Sequence, residues 1–164
     1  MLKNNINNWY LLQHKPNKQK IALDNLERQG FETFYPLFEQ TRKINSKFKN
    51  FLSPLFPGYI FVSFNIKENK WIKIKSTIGI LRIISFGNKP TSVPEEIVLG
   101  LRLKYNKINH IELNKDNVIG KNIKVIKGPF SGFVGEIENL DDKRRLNLLL
   151  KFMNNKKNIL IDLE

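Results

Sequence analysis

The side chains able to act as nucleophiles, acid–base pairs or metal ligands are few and scattered. There is no cysteine, and neither histidine, His14 or His110, has a serine or acid spaced to complete a triad. The densest carboxylate pair, Asp141 and Asp142, runs into Lys143, Arg144 and Arg145 in what reads as a turn, whereas a metal-dependent nuclease needs several acids converging on its ions. These patterns point away from an enzyme and call for no metal and no cofactor.

What the residues offer instead is binding chemistry. Lys and Arg number 28 against 15 Asp and Glu, a net charge of +13, and the excess is uneven: residues 1–105 hold 17 basic and 7 acidic side chains, the rest 11 and 8. A field of that sign attracts polyanions and speeds encounter with nucleic acid, although 22 lysines and 21 asparagines also fit a compositional bias. Arg42, Lys43, Lys47 and Lys49 fall within eight residues with no acid among them. That run reads as a basic hairpin tip or loop, either a polyanion contact or a turn kept soluble by its lysines. A second kind of surface is apolar. In residues 54–64 (PLFPGYIFVSF), Pro57 and Gly58 make a turn, after which Tyr59, Phe61 and Ser63 share one strand face and Ile60, Val62 and Phe64 the other. Such a strand is either central and covered twice, or keeps one face for a partner.

The elements that must hold these residues follow from periodicity and turn signals. Residues 9–13 read as a buried strand; Pro16 and Asn17, the latter a candidate N-cap, open a helix that stops at Gly30 and turns Ile21 or Ala22, Leu26 and Gln29 to one face. Residues 31–44 read as an extended edge segment interrupted at Pro36, 68–75 as a short helix, 80–84 as a strand, and Pro94 with Glu95 and Glu96 opens a second helix. The polar stretch 106–117 lacks periodicity and is the linker candidate. Beyond it, segments 121–127, 133–138, 146–152 and 158–162 are strand-sized and separated by turn residues, the pattern of a small β-barrel. With 41% hydrophobic and 26% charged residues in a chain of 164, a packed core is expected in one ordinary domain or two small ones. No apolar run approaches the ~18 residues of a membrane span, and the first residues lack the features of a signal peptide, so a cytoplasmic protein that does not meet the membrane is expected.

Three blocks, in this order, resemble the NusG/RfaH family of transcription elongation factors, which join an N-terminal NGN domain to a C-terminal KOW domain. They are WYLL followed by LERQGFETFYP; PLFPGYIFV with the later FGNKPTSVP; and VIKGPFSGFVGEI. Within the family, LERQGFETFYP, PLFPGYIFV and the run Leu148, Leu149, Leu150 look closer to the specialised RfaH-type paralogues than to the housekeeping factor. The resemblance implies an α+β fold: an NGN domain over 1–105 with an antiparallel sheet flanked by helices, a linker over 106–117, and an SH3-like KOW β-barrel over 118–164. It further implies a monomeric antitermination factor that docks on the clamp helices of the largest RNA polymerase subunit, reduces pausing and termination, and gains operon specificity through the non-template DNA strand. Tyr59, Phe61 and Phe86 match the docking surface, with Val98 and Leu101 lining it. Lys15, Lys18, Lys20 and Asn25 occupy the early DNA-contact positions, and Thr77 and Arg82 the later ones. Phe130, in the GPFSG loop, matches the anchor for a KOW partner, a small-subunit ribosomal protein or the termination factor Rho.

The departures are specific. Ile21 and Ile78 stand where RfaH-type readers carry arginines, which implies a different or looser DNA target. Lys70, Trp71, Ile72 and Lys73 replace the His/Thr cluster that reaches the polymerase gate loop, and Ser53 replaces the acid that bridges the domains of autoinhibited relatives. In those relatives the KOW domain rests as a helical hairpin masking the polymerase face. Here Pro129 would cost about 3 kcal/mol in a helix interior and each glycine about 1 kcal/mol, so a constitutive barrel is expected, although residues 146–150 suit either form. The alternatives are a general NusG-type elongation factor and a KOW-containing ribosome-associated RNA-binding protein; the latter would concentrate its basicity in the barrel.

Overall fold

The computed structural model describes residues 6–105 and 131–154. The expected linker at 106–117, the strands expected at 121–127 and 158–162, and Phe130 lie outside the described residues. The chain forms two compact units, one of residues 1–34, 58–95 and 147–164, the other of residues 35–57 and 96–146.

The first unit is built on an antiparallel sheet. Its central strands are β1 (Asn8–His14) and β5 (Tyr59–Phe64), which pair from Asn8↔Phe64 to Gln13↔Tyr59. Strand β2 (Glu32–Phe34) flanks β5, while β6 (Ile80–Ile83) and the short β7 (Ser92–Val93) pair with the other edge of β1. Because β5 lies between two neighbours and its side chains alternate, both apolar faces are core: Ile60, Phe61 and Val62 are fully buried. On one face Tyr10 stacks on Phe64 with ring centroids 4.0 Å apart, and Trp71 stacks on the same ring at 5.9 Å. On the other, Phe34 lies 5.8 Å from Phe61.

Helix α1 (Gln19–Arg28) buries Ala22 and Leu26, one turn apart. It ends in a left-handed Gly30, φ +82, where Gly30 N–H donates to Glu27 O and Phe31 N–H to Leu26 O, satisfying the last carbonyls. Its start differs from the sequence expectation: Asn17 adopts φ +57 in the preceding turn and Lys18 takes the cap position. Asparagine tolerates the left-handed region, so the turn claims it. Residues Asn69–Ser76 form a 3-10 helix that buries Ile74.

In the second unit, β3 (Leu37–Ile44) and β4 (Lys47–Pro54) make a two-stranded hairpin closed at Asn45 and Ser46, φ +49 and +63, the conformation of a two-residue hairpin turn. Helix α2 (Glu95–Tyr105) buries Ile97, Val98, Leu101 and Tyr105. The KOW-like region departs from expectation. Residues Ser131–Glu136 form helix α3, Ile137–Asn139 a 3-10 turn, and Asp142–Asn154 helix α4, where strands over 133–138 and 146–152 were expected. Asp141 and Asp142 are not a bare turn but a helix start, with Arg144 N–H donating to Asp141 Oδ1 at 2.8 Å.

Candidate functional site

The register of β1 and β6 breaks between Gln13 and His14, and the bulge turns the end of the sheet into a platform. Lys15 N–H donates to Gly79 O at 2.8 Å, bringing the loop after the 3-10 helix against the β1–α1 turn. Gly79, φ +94, has no room for a side chain, since a Cβ there would lie 3.0 Å from the Ala22 backbone nitrogen. Asn25 of α1 and Gln29, the residue that follows the helix, tie this loop down. Asn25 Nδ2 donates to Ile78 O at 3.3 Å, and Gln29 Nε2 to Thr77 Oγ1 at 3.0 Å. Across the platform Arg82 Nε donates to Gln13 Oε1 at 2.7 Å, which orients the guanidinium over the bulge.

Lys15, Lys18, Lys20 and Arg82 are therefore exposed cations around one loop, with Asn25 half-buried beside them. Thr77 departs from the expectation of a base contact: it is 5% exposed, and its hydroxyl also reaches Lys73 O at 3.1 Å, so it holds the loop. The residues not singled out beforehand as contacts are Gln13 and Gln29, whose partners lie 69 and 48 positions away. The two positions that depart from the RfaH-type pattern, Ile21 and Ile78, are 40% and 73% exposed, so apolar side chains crown the patch. A shallow hollow beside it is lined by Lys75, Leu81, Arg82, Ser85, Asn88 and Pro90.

The expected docking residues divide by exposure. Phe61, Val98 and Leu101 are fully buried, Tyr59 is half-buried, and Phe86 is 44% exposed. Leu149 and Met153 of α4 are also fully buried, and from Asn147 onward this helix belongs to the same compact unit as Phe61. Of the residues standing in for the His/Thr cluster, Trp71 serves the core, and its indole Nε1–H donates to Ile66 O at 3.0 Å. Burial pushes the Tyr10 and Tyr35 phenols up, so both stay neutral at physiological pH.

Arg145, in the second unit, is a buried cation, 3% exposed. Its Nη1 donates to Leu55 O at 2.9 Å and its Nε to Leu140 O at 2.9 Å, while the guanidinium sits 4.8 Å from the centre of the Phe38 ring. Asp142 Oδ1, 3.2 Å away, balances the charge. The start of α4 is thereby fastened to the base of the β3–β4 hairpin, without an acid at Ser53. The four hairpin cations, Arg42, Lys43, Lys47 and Lys49, are all exposed. Among the described residues no group of three His, Asp or Glu side chains converges as a metal site, and no helix is long and apolar enough to cross a membrane.

A profile of the family described as transcription termination factor nusG matches residues 7–102, and one of the KOW motif matches residues 119–150. The transcription termination/antitermination protein NusG of Halalkalibacterium halodurans is 29% identical over 156 residues, covering 86% of each chain. The protein of the same name from Staphylococcus epidermidis is 26% identical over 138 residues, covering 81% of this chain and 75% of that one. A solved structure described as domain interaction in Thermotoga maritima NusG shares 18% identity at a TM-score of 0.44, over 67% of this chain and 63% of that one, a likeness too slight to build on.

Proposed function

The chain belongs to the NusG family of transcription termination and antitermination factors, which are not enzymes, and from that premise we propose that it is a specialised, RfaH-type member. In this reading it docks on the clamp helices of RNA polymerase through Tyr59, Phe61, Phe86, Val98 and Leu101, and reduces pausing and termination. Lys15, Lys18, Lys20 and Arg82 hold the phosphates of the non-template strand, with Asn25, its Nδ2 engaged by Ile78 O, offering Oδ1 to a base edge and Thr77 fixing the loop. Exposed Ile21 and Ile78 favour apolar contact with an unstacked base in place of arginine readout. The KOW region, through Phe130, meets a small-subunit ribosomal protein or Rho.

The observation that carries this reading is the cluster of exposed cations, Lys15, Lys18, Lys20 and Arg82, around the loop that Asn25 and Gln29 hold in place, an arrangement suited to single-stranded DNA held by its phosphates. Of the docking residues, Tyr59 and Phe86 keep exposed surface, and the buried Phe61, Val98 and Leu101 support them from below. A general NusG-type role is the second reading, favoured by the names of the relatives; it predicts equal activity on every template. The test compares wild type with Tyr59→Ala plus Phe86→Ala, both partly exposed and so removable without emptying the core. Binding to a paused elongation complex should weaken by about 2 kcal/mol for each hot-spot ring, with pausing restored and the melting curve unchanged. Unaltered binding and pausing would contradict the docking assignment.

A further inference from the structure

The distal β3–β4 hairpin carries a charge arrangement that the fold does not require. Opposed residues of an antiparallel pair share a face, so the register places Gln40↔Phe51, Arg42↔Lys49 and Ile44↔Lys47 on one side, and Glu39↔Leu52, Thr41↔Asn50 and Lys43↔Phe48 on the other. The first side therefore holds three cations, two of them directly opposite each other, and no acid. Like charges opposed across a ladder destabilise it. Glu39, the hairpin's one acid, lies on the other side, where Lys43 Nζ is 5.9 Å from the centre of the Phe48 ring. Arg42 Nη2 donates to Gln40 Oε1 at 3.0 Å, which holds the guanidinium on the cationic side, and every residue from 41 to 50 is exposed.

We propose that this side of the hairpin grips double-stranded DNA through its phosphates, without reading sequence. The uncompensated row of Arg42, Lys47 and Lys49 complements a polyanion, and a two-stranded ribbon fits the major groove of B-form DNA, about 12 Å wide. Counterion release supplies the affinity, so binding must fall steeply with salt. The inference goes beyond polymerase docking and does not depend on it, because it concerns a different element and is tested on free DNA.

The test uses the full chain and a labelled 20-base-pair duplex of arbitrary sequence, with fluorescence anisotropy over a salt series. Arg42→Gln plus Lys49→Gln is compared with a control of equal charge change, Lys67→Gln plus Lys89→Gln, and Lys47→Gln serves as a milder third variant. The hairpin double variant should lose about two units from the slope of log K against log salt, since each phosphate contact contributes about 0.9, and Lys47→Gln about one. The control should lose less than half a unit. The melting temperature of the hairpin variant should hold or rise, because a repulsive pair has been removed. The proposal is overturned if the parent fails to bind the duplex at low salt, if hairpin and control variants lose equally, or if the hairpin variant binds like the parent. It is overturned as well if only single-stranded DNA of the same length, and not the duplex, loses affinity, or if polyglutamate competes as strongly as DNA charge for charge.

Discussion

Strand β5 and helix α4 are both apolar runs, YIFVSF and LNLLLKFM, yet they are fixed by different forces. In β5 the ladders to β2 and β1 occupy both edges and the core covers both faces, so Phe61 is 0% exposed inside a continuous sheet. In α4 the buried side chains are Arg145, Leu149 and Met153, four residues apart, and its N-terminal anchor is a set of polar contacts ending on a carbonyl 90 residues away in the chain. The comparison teaches that one element is held by what its own pattern demands and the other by where it is tied. Cutting the tie should therefore loosen α4 and leave β5 in place.

Three substitutions bear on that contrast, in falling order of effect. Phe61→Ala should cost about 3–5 kcal/mol in urea unfolding, as for other fully buried aromatics; a loss under about 1 kcal/mol would show that β5 is not covered on both sides. Arg145→Ala leaves the buried Leu55 carbonyl without its donor and Phe38 without its cation, a local loss of about 2–3 kcal/mol. Hydrogen exchange should quicken across α4 while β1 and β5 keep their protection; uniform quickening would mean that α4 and the sheet open as one. Asp141→Ala removes the cap of α4 and should cost about 1 kcal/mol, read as a partial loss of the helical signal in circular dichroism that Asp141→Asn restores.

The sheet was legible because its signals are local. The two-residue alternation of β5, the stop at Gly30 and the break at Pro36 each have one low-energy outcome. The exposed lysines of the platform are legible by type, but the burial of Thr77 is not, because it depends on Gln29 reaching across from the end of α1. Pairing of Gln13 with Arg82 likewise emerges only once β1 and β6 are in register. For residues 146–152 periodicity cannot decide, since leucines recur at spacings that suit both a strand and a helix. The decision rests on the Asp141 cap and on Arg145, which in sequence looks like one more surface cation beside two acids.

The central claim of the proposed function is that the partly exposed rings of Tyr59 and Phe86 carry the contact with RNA polymerase. Equilibrium binding of the full chain to core RNA polymerase, with and without Tyr59→Ala plus Phe86→Ala, tests it most directly. The variant should bind at least about tenfold more weakly, since truncating a hot-spot ring costs about 2 kcal/mol. A folded variant that binds as tightly as the parent would contradict the account.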